Sequence, residues 1–440
     1  MGSNFKHQKV LIFGLGLNQG GVGSAKFFAT RGAKIRVTDL KSQADLQSSI
    51  DELKKFPEIE YALGEHKNED IDWADLIIKN PAVKPGNSYI EYAQKKGKQI
   101  ETDLGIFLQH IKPNQIIGVT GTKGKSTTAS LIYQALKTQK REIILAGNIG
   151  KSVLDAIDQI TPDTLVILEI SSFQLESFNT HQVSPKWAII TNLTPDHLNY
   201  YQTMKQYVAS KKLIGKYQIK NDFLFIRKND PIVDSPDFLK DLKANIIRFS
   251  KTDLPKNFKP FLKGDHNLEN MAAAIALTKT LGVDPQKALK TIQKFKGIPF
   301  RMELIKNWHG VKIINDTCAS SPEAGIQAIK TFPGCILICG GMNKGMDYKD
   351  YVKFLSQNVK AVFFLEGDST QLIRGYKPGL QLQTFGPYNN LEKLLTRVKS
   401  VVKKGETILF SPAATSFNLF QNEFDRGRKF NEAVEKIFHD

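Results

Sequence analysis

The chain has 440 residues, 41% hydrophobic and 24% charged, with a formal net charge of +17. That length suits two to four domains at about 150 residues each, and no apolar run approaches the roughly 18 residues of a membrane span. Cys318, Cys335 and Cys339 are too few and too irregularly spaced for a disulfide framework or a zinc site, and the lysines form neither a dense block nor an aromatic-interleaved motif, so the charge reads as solvated faces that help gather small polyanions rather than as a nucleic-acid surface.

The opening residues lack the apolar core of a signal peptide, and Lys6 breaks the myristoylation pattern, so a cytoplasmic location is expected. Lys9-Val-Leu-Ile-Phe-Gly14-Leu15-Gly16 reads as a buried strand running into glycines, with Gly20, Gly21 and Gly23 beyond it. A helix is predicted from Ala25, then a strand from Ala33 that ends at Asp39. This is a βαβ layout with an acid placed to meet a ribose or base, although Gln19 stands where a dinucleotide fingerprint has its third glycine. NAD or another nucleotide diphosphate would be served by the same geometry. Asp75-Leu-Ile-Ile-Lys-Asn80 reads as a further strand leaving polar residues at its carboxyl end.

A second glycine turn, Gly118-Val-Thr-Gly121-Thr122-Lys123-Gly124-Lys125-Ser126-Thr127-Thr128, stands between an apolar strand and a segment with Ala129, Ile132, Tyr133 and Leu136 on one helical face. Glycines let successive N–H groups turn toward phosphate oxygens, and the helix N-terminus adds favourable partial charge. Lys125 can reach the β- and γ-phosphates, and Ser126 offers a hydroxyl to Mg²⁺. Val119 departs from the phosphate-loop pattern where a glycine is usual. Nucleoside-triphosphate binding is the expectation.

Thr164-Leu-Val-Ile-Leu-Glu169-Ile170 is a continuous apolar run, as for a strand covered on both faces. Glu169 falls near its carboxyl end, well placed for Mg²⁺, and Ser171 to Glu176 follow. Trp187-Ala-Ile-Ile-Thr-Asn192 is another strand, with His197 shortly after it, either structural or in touch with substrate or metal. In a helix over 204–216, Lys205, Lys212 and Lys216 share a solvated side. Lys211 falls instead among Met204, Tyr207, Val208 and Ile214. A lysine there loses hydration, so its pKa should fall, and a neutral amine can take up CO₂ as a carbamate. A snorkelling side chain is the alternative. Asn267 and Asn270 are expected at the start of the next helix, as caps.

The last third repeats the rhythm. Val311-Lys-Ile-Ile-Asn315-Asp316 ends in an acid, and Ser321-Pro322-Glu323 opens a helix as N-cap, N1 proline and early acid. Strands follow at Cys335–Cys339, with both thiols on one face, at Ala361–Leu365 and at Thr407–Phe410, before a final helix.

Together these stretches resemble the Mur ligase family over essentially the whole chain. The resemblance rests on Thr120-Gly-Thr-Lys-Gly-Lys-Ser126, Gly147-Asn148-Ile-Gly150, Glu169-Ile-Ser171-Ser-Phe-Gln174-Leu-Glu176, His266-Asn267 with Asn270, Arg301, Asn315-Asp316, Gly340-Gly-Met-Asn-Lys344-Gly and Ser411-Pro-Ala-Ala-Thr-Ser416. It implies an α/β chain of three domains: a Rossmann-like nucleotide-binding domain at 1–111, a central phosphate-loop ATPase domain at 112–298 and a Rossmann-like C-terminal domain at 299–440. The implied substrates are UDP-N-acetylmuramoyl-L-alanine, glutamate and ATP, joined in cytoplasmic peptidoglycan precursor synthesis by a monomer with no nucleic-acid or membrane partner. Leu15, Asn18, Asp39, Lys41, Asn80, Asn148, Ser171 and Gln174 would contact the UDP-muramoyl substrate. Residues Gly121 to Thr127, Asn270, Arg301 and Asp316 would bind ATP. Two Mg²⁺ would be held by Ser126, Glu169, His197 and a carbamylated Lys211, and Ser320, Lys344 and Ser416 would hold the incoming amino acid. Lys125, Glu169, His197 and Lys211 would carry catalysis through an acyl phosphate, which hydrolyses in water and so calls for closure before attack.

The family pattern Asn-Asp-Ser-Lys-Ala-Thr reads here Asn315-Asp-Thr-Cys318-Ala-Ser320, losing a lysine, and a phenylalanine of the final helix aligns with Glu423. The first glycine loop is also longer than the pattern. These departures touch substrate recognition, so L-glutamate or another amino acid stays open as the addition. From another class, an NAD-dependent oxidoreductase on Gly14–Asp39 would leave the 118–128 loop, Glu169 and His197 without a use.

Overall fold

The computed structural model describes residues 5–16, 19–137, 139, 141–147, 152–196, 198–343, 346–376, 382–416, 419–420 and 422–439. It contains three sheets in two compact units, 1–295 and 296–440. Asn18, Asn148, His197 and Lys344 lie outside the described residues.

The first sheet is parallel, with β1 (Lys9–Phe13), β2 (Lys34–Asp39), β3 (Glu60–Leu63), β4 (Leu76–Lys79) and β5 (Gln99–Glu101) in the order β3-β2-β1-β4-β5. The order reverses at β1, which opens a crevice beyond the carboxyl ends of β1 and β4. The helix after β1 runs from Gln19 to Ala29, so Gly20, Gly21 and Gly23 belong to its first turns and not to the loop before a helix at Ala25. The reason is close packing. A methyl at Gly21 would strike the Leu15 carbonyl, and one at Gly23 the Ser152 side chain.

The second sheet is also parallel: β6 (Ile116–Thr120), β7 (Ile143–Gly147), β8 (Leu165–Glu169), β9 (Trp187–Ile190), β10 (Phe223–Arg227) and β11 (Asn245–Phe249) lie in the order β11-β10-β9-β6-β8-β7. Alternate residues of its inner strands feed two different cores. Ile116, Val166, Leu168, Ala188 and Ile190 face one, while Ile117, Val119, Ile167 and Ile189 face the other. Double coverage is why these strands read as unbroken apolar runs. The first of these cores continues into the first sheet through Leu104, Phe107, Val153 and Leu154. Thr102 and Ser177 hydroxyls bond at 2.7 Å, and His181 meets Glu101 at 3.2 Å, where the two layers join.

The third sheet comprises β12 (Glu303–Trp308), β13 (Val311–Asn315), β14 (Cys335–Cys339), β15 (Val359–Leu365), β16 (Gln383–Tyr388) and β17 (Thr407–Phe410), ordered β12-β13-β17-β14-β15-β16. It is parallel except for β12, an antiparallel edge that the strand–helix rhythm does not announce. Cys335 and Cys339 share one buried face with Leu337, as their spacing predicts.

Candidate active site

The turn after β6 is shaped by two glycines. Gly121 has φ 144°, and Gly124 has φ 86° and caps the helix Lys125–Leu136. Side chains rarely adopt such a backbone. A methyl at Gly121 would strike Thr191 Oγ1, and one at Gly124 the Asn270 amide, so only bare backbone fits. The end of β9 fixes the turn from the side. The Asn192 carbonyl accepts the Thr122 N–H at 2.9 Å, and Asn192 Oδ1 accepts the Lys123 N–H at 3.1 Å. Asn192 Nδ2 and Thr191 Oγ1 both donate to the Lys123 carbonyl, at 2.9 and 2.6 Å. Thr122 Oγ1 accepts the Thr194 N–H at 3.0 Å and shares a hydrogen with Tyr207 Oη at 3.0 Å. Lys125 Nζ donates to the Gly121 and Thr122 carbonyls at 3.1 and 2.9 Å, which parks a cation on the turn it would serve. Ser126 and Thr127 are half-buried in the first helical turn.

The helix Met204–Lys216 brings Lys211 in from the other side of β6. Lys211 is 1% exposed, and its Nζ donates to Thr120 Oγ1 at 3.0 Å; that hydroxyl donates in turn to the Ile170 carbonyl at 2.7 Å. Burial, then the charge of Lys125, pushes the amine well below the ordinary lysine range, against the pull of Asp196 and Glu169. Glu169 ends β8 at 2% exposure, in register with Val119 of β6 and Gly147 of β7. Among the described residues no three His, Cys, Asp or Glu side chains gather into a metal cage. The oxygen donors at hand, Ser126 and Glu169, suit Mg²⁺ held largely by water and phosphate oxygens.

Asn270 is 5% exposed and faces Gly124. The helix Asp265–Thr280 starts after Gly264, so Asn267 and Asn270 lie within its early turns, which corrects the expectation that they cap it. Gly264, at φ 104°, makes the turn that an asparagine cap would not. Asn267 Nδ2 donates back to the Lys263 carbonyl at 2.7 Å.

At the first sheet, Asp39 Oδ2 accepts the Gly16 N–H and Oδ1 the Lys41 N–H, both at 2.9 Å. Asn80 Nδ2 donates to the Gly14 carbonyl at 3.2 Å, and Leu15 is fully buried, while Lys41 is exposed. Asp39 and Asn80 therefore shape the glycine loop as well as line it. Ser171 donates to Gln174 Oε1 through both N–H and hydroxyl at 3.0 Å.

In the other unit Asp316 accepts the Met302 N–H on Oδ1 at 3.1 Å and the Ser411 hydroxyl on Oδ2 at 2.9 Å. Burial pushes its carboxyl up to about 6 despite these bonds and the Arg301 charge. Arg301 and Ser320 are exposed, whereas Ser416 is 2% exposed. Cys318 has its thiol pushed up to about 11 by burial. Arg426, fully buried on the last helix, Glu423–Ile437, donates through Nε and Nη2 to Thr317 Oγ1 and carbonyl, each at 2.8 Å, and through Nη1 to the Ala414 carbonyl at 3.0 Å. Burial pulls this guanidinium down to about 10. Sequence reasoning passed over Arg426, although it shares an apolar helical face with Phe430 and Val434, the same signal that marked Lys211. Thr120, Thr191 and Asn192, at strand ends beside the turn, were likewise given no role.

A parallel sheet, a glycine turn capping a helix, a lysine folded onto that turn and a buried acid on the neighbouring strand define a phosphate-loop nucleotide enzyme built from three α/β modules. The Mur ligase middle-domain model matches residues 119–261, and that of the Mur ligase MurD-like N-terminal domain matches 8–102. Relatives called UDP-N-acetylmuramoylalanine–D-glutamate ligase occur in Roseiflexus sp. (strain RS-1), 34% identical over 98% of this chain and 99% of the relative, and in Borreliella afzelii (strain PKo), 36% identical over 98% of each. The chain belongs to the Mur ligase family, ATP-dependent ligases that form ADP and an amide. Solved structures share the fold: the UDP-N-acetylmuramate-alanine ligase of Thermotoga maritima (TM-score 0.58, 21% identity, 98% of this chain and 100% of that one) and the MurF ligase of the same organism in complex with ADP (TM-score 0.53, 18% identity, 99% and 100%).

Proposed function

We propose that this chain is an ATP-dependent ligase of peptidoglycan precursor synthesis that adds D-glutamate to UDP-N-acetylmuramoyl-L-alanine. The observation that carries the chemistry is the glycine turn with Lys125 folded onto it and buried Lys211 and Glu169 beside it. The amino acid and acceptor follow the near full-length likeness to relatives named for that reaction.

A carboxylate is a poor electrophile. One of its oxygens attacks the γ-phosphorus of ATP, ADP leaves and an acyl phosphate forms. The glutamate amine then attacks the carbonyl carbon, loses a proton, and phosphate departs from the new amide. In this reading Lys125 swings from its two loop carbonyls to the transferring phosphoryl group, and the N–H groups of the turn hold the remaining phosphate oxygens. Lys211, its amine pushed well below the ordinary lysine range by burial, takes up CO₂ through an N–C bond and releases a proton, supplying a second carboxylate beside Glu169. Mg²⁺, when bound by Ser126, Glu169, His197 and that carbamate, supplies neutralising charge to the phosphates. Asn270, Arg301 and Asp316 serve the nucleotide. Leu15, Asn18, Asp39, Lys41, Asn80, Asn148, Ser171 and Gln174 serve the UDP-muramoyl substrate, and Ser320, Lys344 and Ser416 the amino acid. Residues 1–111, 112–298 and 299–440 are the proposed working modules, and a single cytoplasmic chain is the acting unit.

The test is phosphate release by the full chain with ATP, Mg²⁺ and UDP-N-acetylmuramoyl-L-alanine, offered each amino acid and both glutamate enantiomers. Release that depends on D-glutamate is expected. Release with L-glutamate or another amino acid alone overturns the specificity, and none with any amino acid overturns the ligase reading.

A further inference from the structure

The backbone on either side of Arg301 is strained. Phe300 has φ 66° and Met302 φ 46°, and among the described residues no other two non-glycine residues with positive φ stand so close in the chain. Such conformations persist only where their surroundings impose them, and they concentrate at functional sites. Here several groups impose them. Glu303 Oε2 accepts the Phe300 N–H at 2.8 Å, and Asp316 Oδ1 accepts the Met302 N–H at 3.1 Å. The Phe300 carbonyl accepts the Cys318 N–H at 3.1 Å. The Phe300 ring packs where Gly427 leaves room, since a methyl there would lie 2.5 Å from its Cδ1. Phe424, one turn earlier on the same helix as Gly427, meets the ring edge-on at 6.3 Å between centroids. The outcome is an exposed guanidinium on a turn with few ways to relax.

We propose that Glu303 is a positioning residue: by accepting the Phe300 N–H it holds the left-handed turn that sets the pose of Arg301 for the nucleotide. The proposal rests on the nucleotide role given to Arg301 above. Asp316 shares the task at Met302, but it is also assigned to the nucleotide, so Glu303 is the holder whose removal isolates the turn. Glu303 is half-buried, and among the described residues its carboxylate pairs with the Phe300 backbone N–H, so its contribution is geometric.

Steady-state kinetics of the full chain test this. Glu303→Ala is expected to raise KM for ATP about tenfold, with KM for the UDP-muramoyl substrate within about twofold of wild type. Glu303→Gln keeps an acceptor oxygen and should stay close to wild type. A lower Tm for Glu303→Ala with unchanged KM for ATP, or a Glu303→Gln variant as impaired toward ATP as Glu303→Ala, overturns the proposal. If Glu303→Ala does not fold, Glu303→Leu, similar in bulk but with no acceptor for the Phe300 N–H, carries the same comparison. Arg301→Ala separates the two readings. If it leaves ATP kinetics unchanged, the nucleotide role of Arg301 falls and the positioning with it; if it impairs them while Glu303→Ala does not, only the positioning falls.

Discussion

The phosphate loop and the rim of the third sheet both stand at the carboxyl ends of parallel strands, yet they are built in opposite ways. The loop after β6 is made of backbone: Gly121 and Gly124 take conformations closed to other residues, and a methyl on either would strike Thr191 or Asn270. The rim is stitched by side chains reaching far along the chain, with Ser411 on Asp316 and Arg426 on Thr317 and Ala414. A backbone device needs particular residues in a row and so leaves a motif. A stitched device needs only one suitable side chain somewhere on a facing element.

Damage to the loop should therefore abolish chemistry while sparing the fold, and damage to the rim should cost stability first. Lys125→Ala should lower phosphate release by at least about 10³-fold with little change in the unfolding curve, since the turn is held independently by the Thr191 and Asn192 bonds to Lys123 and Thr122. A loss of Tm in step with activity would break the contrast. Lys211→Ala should fall by about 10²- to 10³-fold, and a small carboxylate such as formate should restore part of it; rescue by a small amine instead would restore the plain-lysine reading. Arg426→Ala leaves the Thr317 and Ala414 carbonyls buried without donors and should cost about 4 kcal/mol in denaturant unfolding.

The smallest effect concerns Asp316, whose pKa is raised from 3.8 to about 6 by burial. The folded state then holds a proton that the unfolded state has released. Stability from this group is full below about pH 4 and is lost as pH rises through about 6, on the order of 3 kcal/mol. Asp316→Asn should remove that slope, read as the difference between wild-type and variant unfolding free energies across pH 4 to 7. A wild-type curve as flat as the variant's would show that the Arg301 charge outweighs burial.

What could be read from residues alone follows the same division. The strands that feed two cores announced themselves, and so did the helix Met204–Lys216, whose one lysine on the apolar side is buried as expected. The edges did not: β5 is three residues long, β3 is half-exposed, and antiparallel β12 mixes charge with apolar residues, so neither run length nor alternation is clean there. The start of the first helix is hidden because Gly20, Gly21 and Gly23 read as a loop, whereas bare backbone at Gly21 and Gly23 lets the helix press against Leu15 and Ser152. The strain around Arg301 has no sequence signature, since Phe and Met are not residues that seek a left-handed backbone.

Because one continuous apolar interior runs from the first sheet through Leu104, Phe107, Val153 and Leu154 to a face of the second, the first sheet is not a detachable cassette. A chimera that transplants only the first hundred or so residues from a relative would mate two mismatched surfaces; to survive, the graft must bring the opposing 3₁₀ segment Val153–Gln159 along with it.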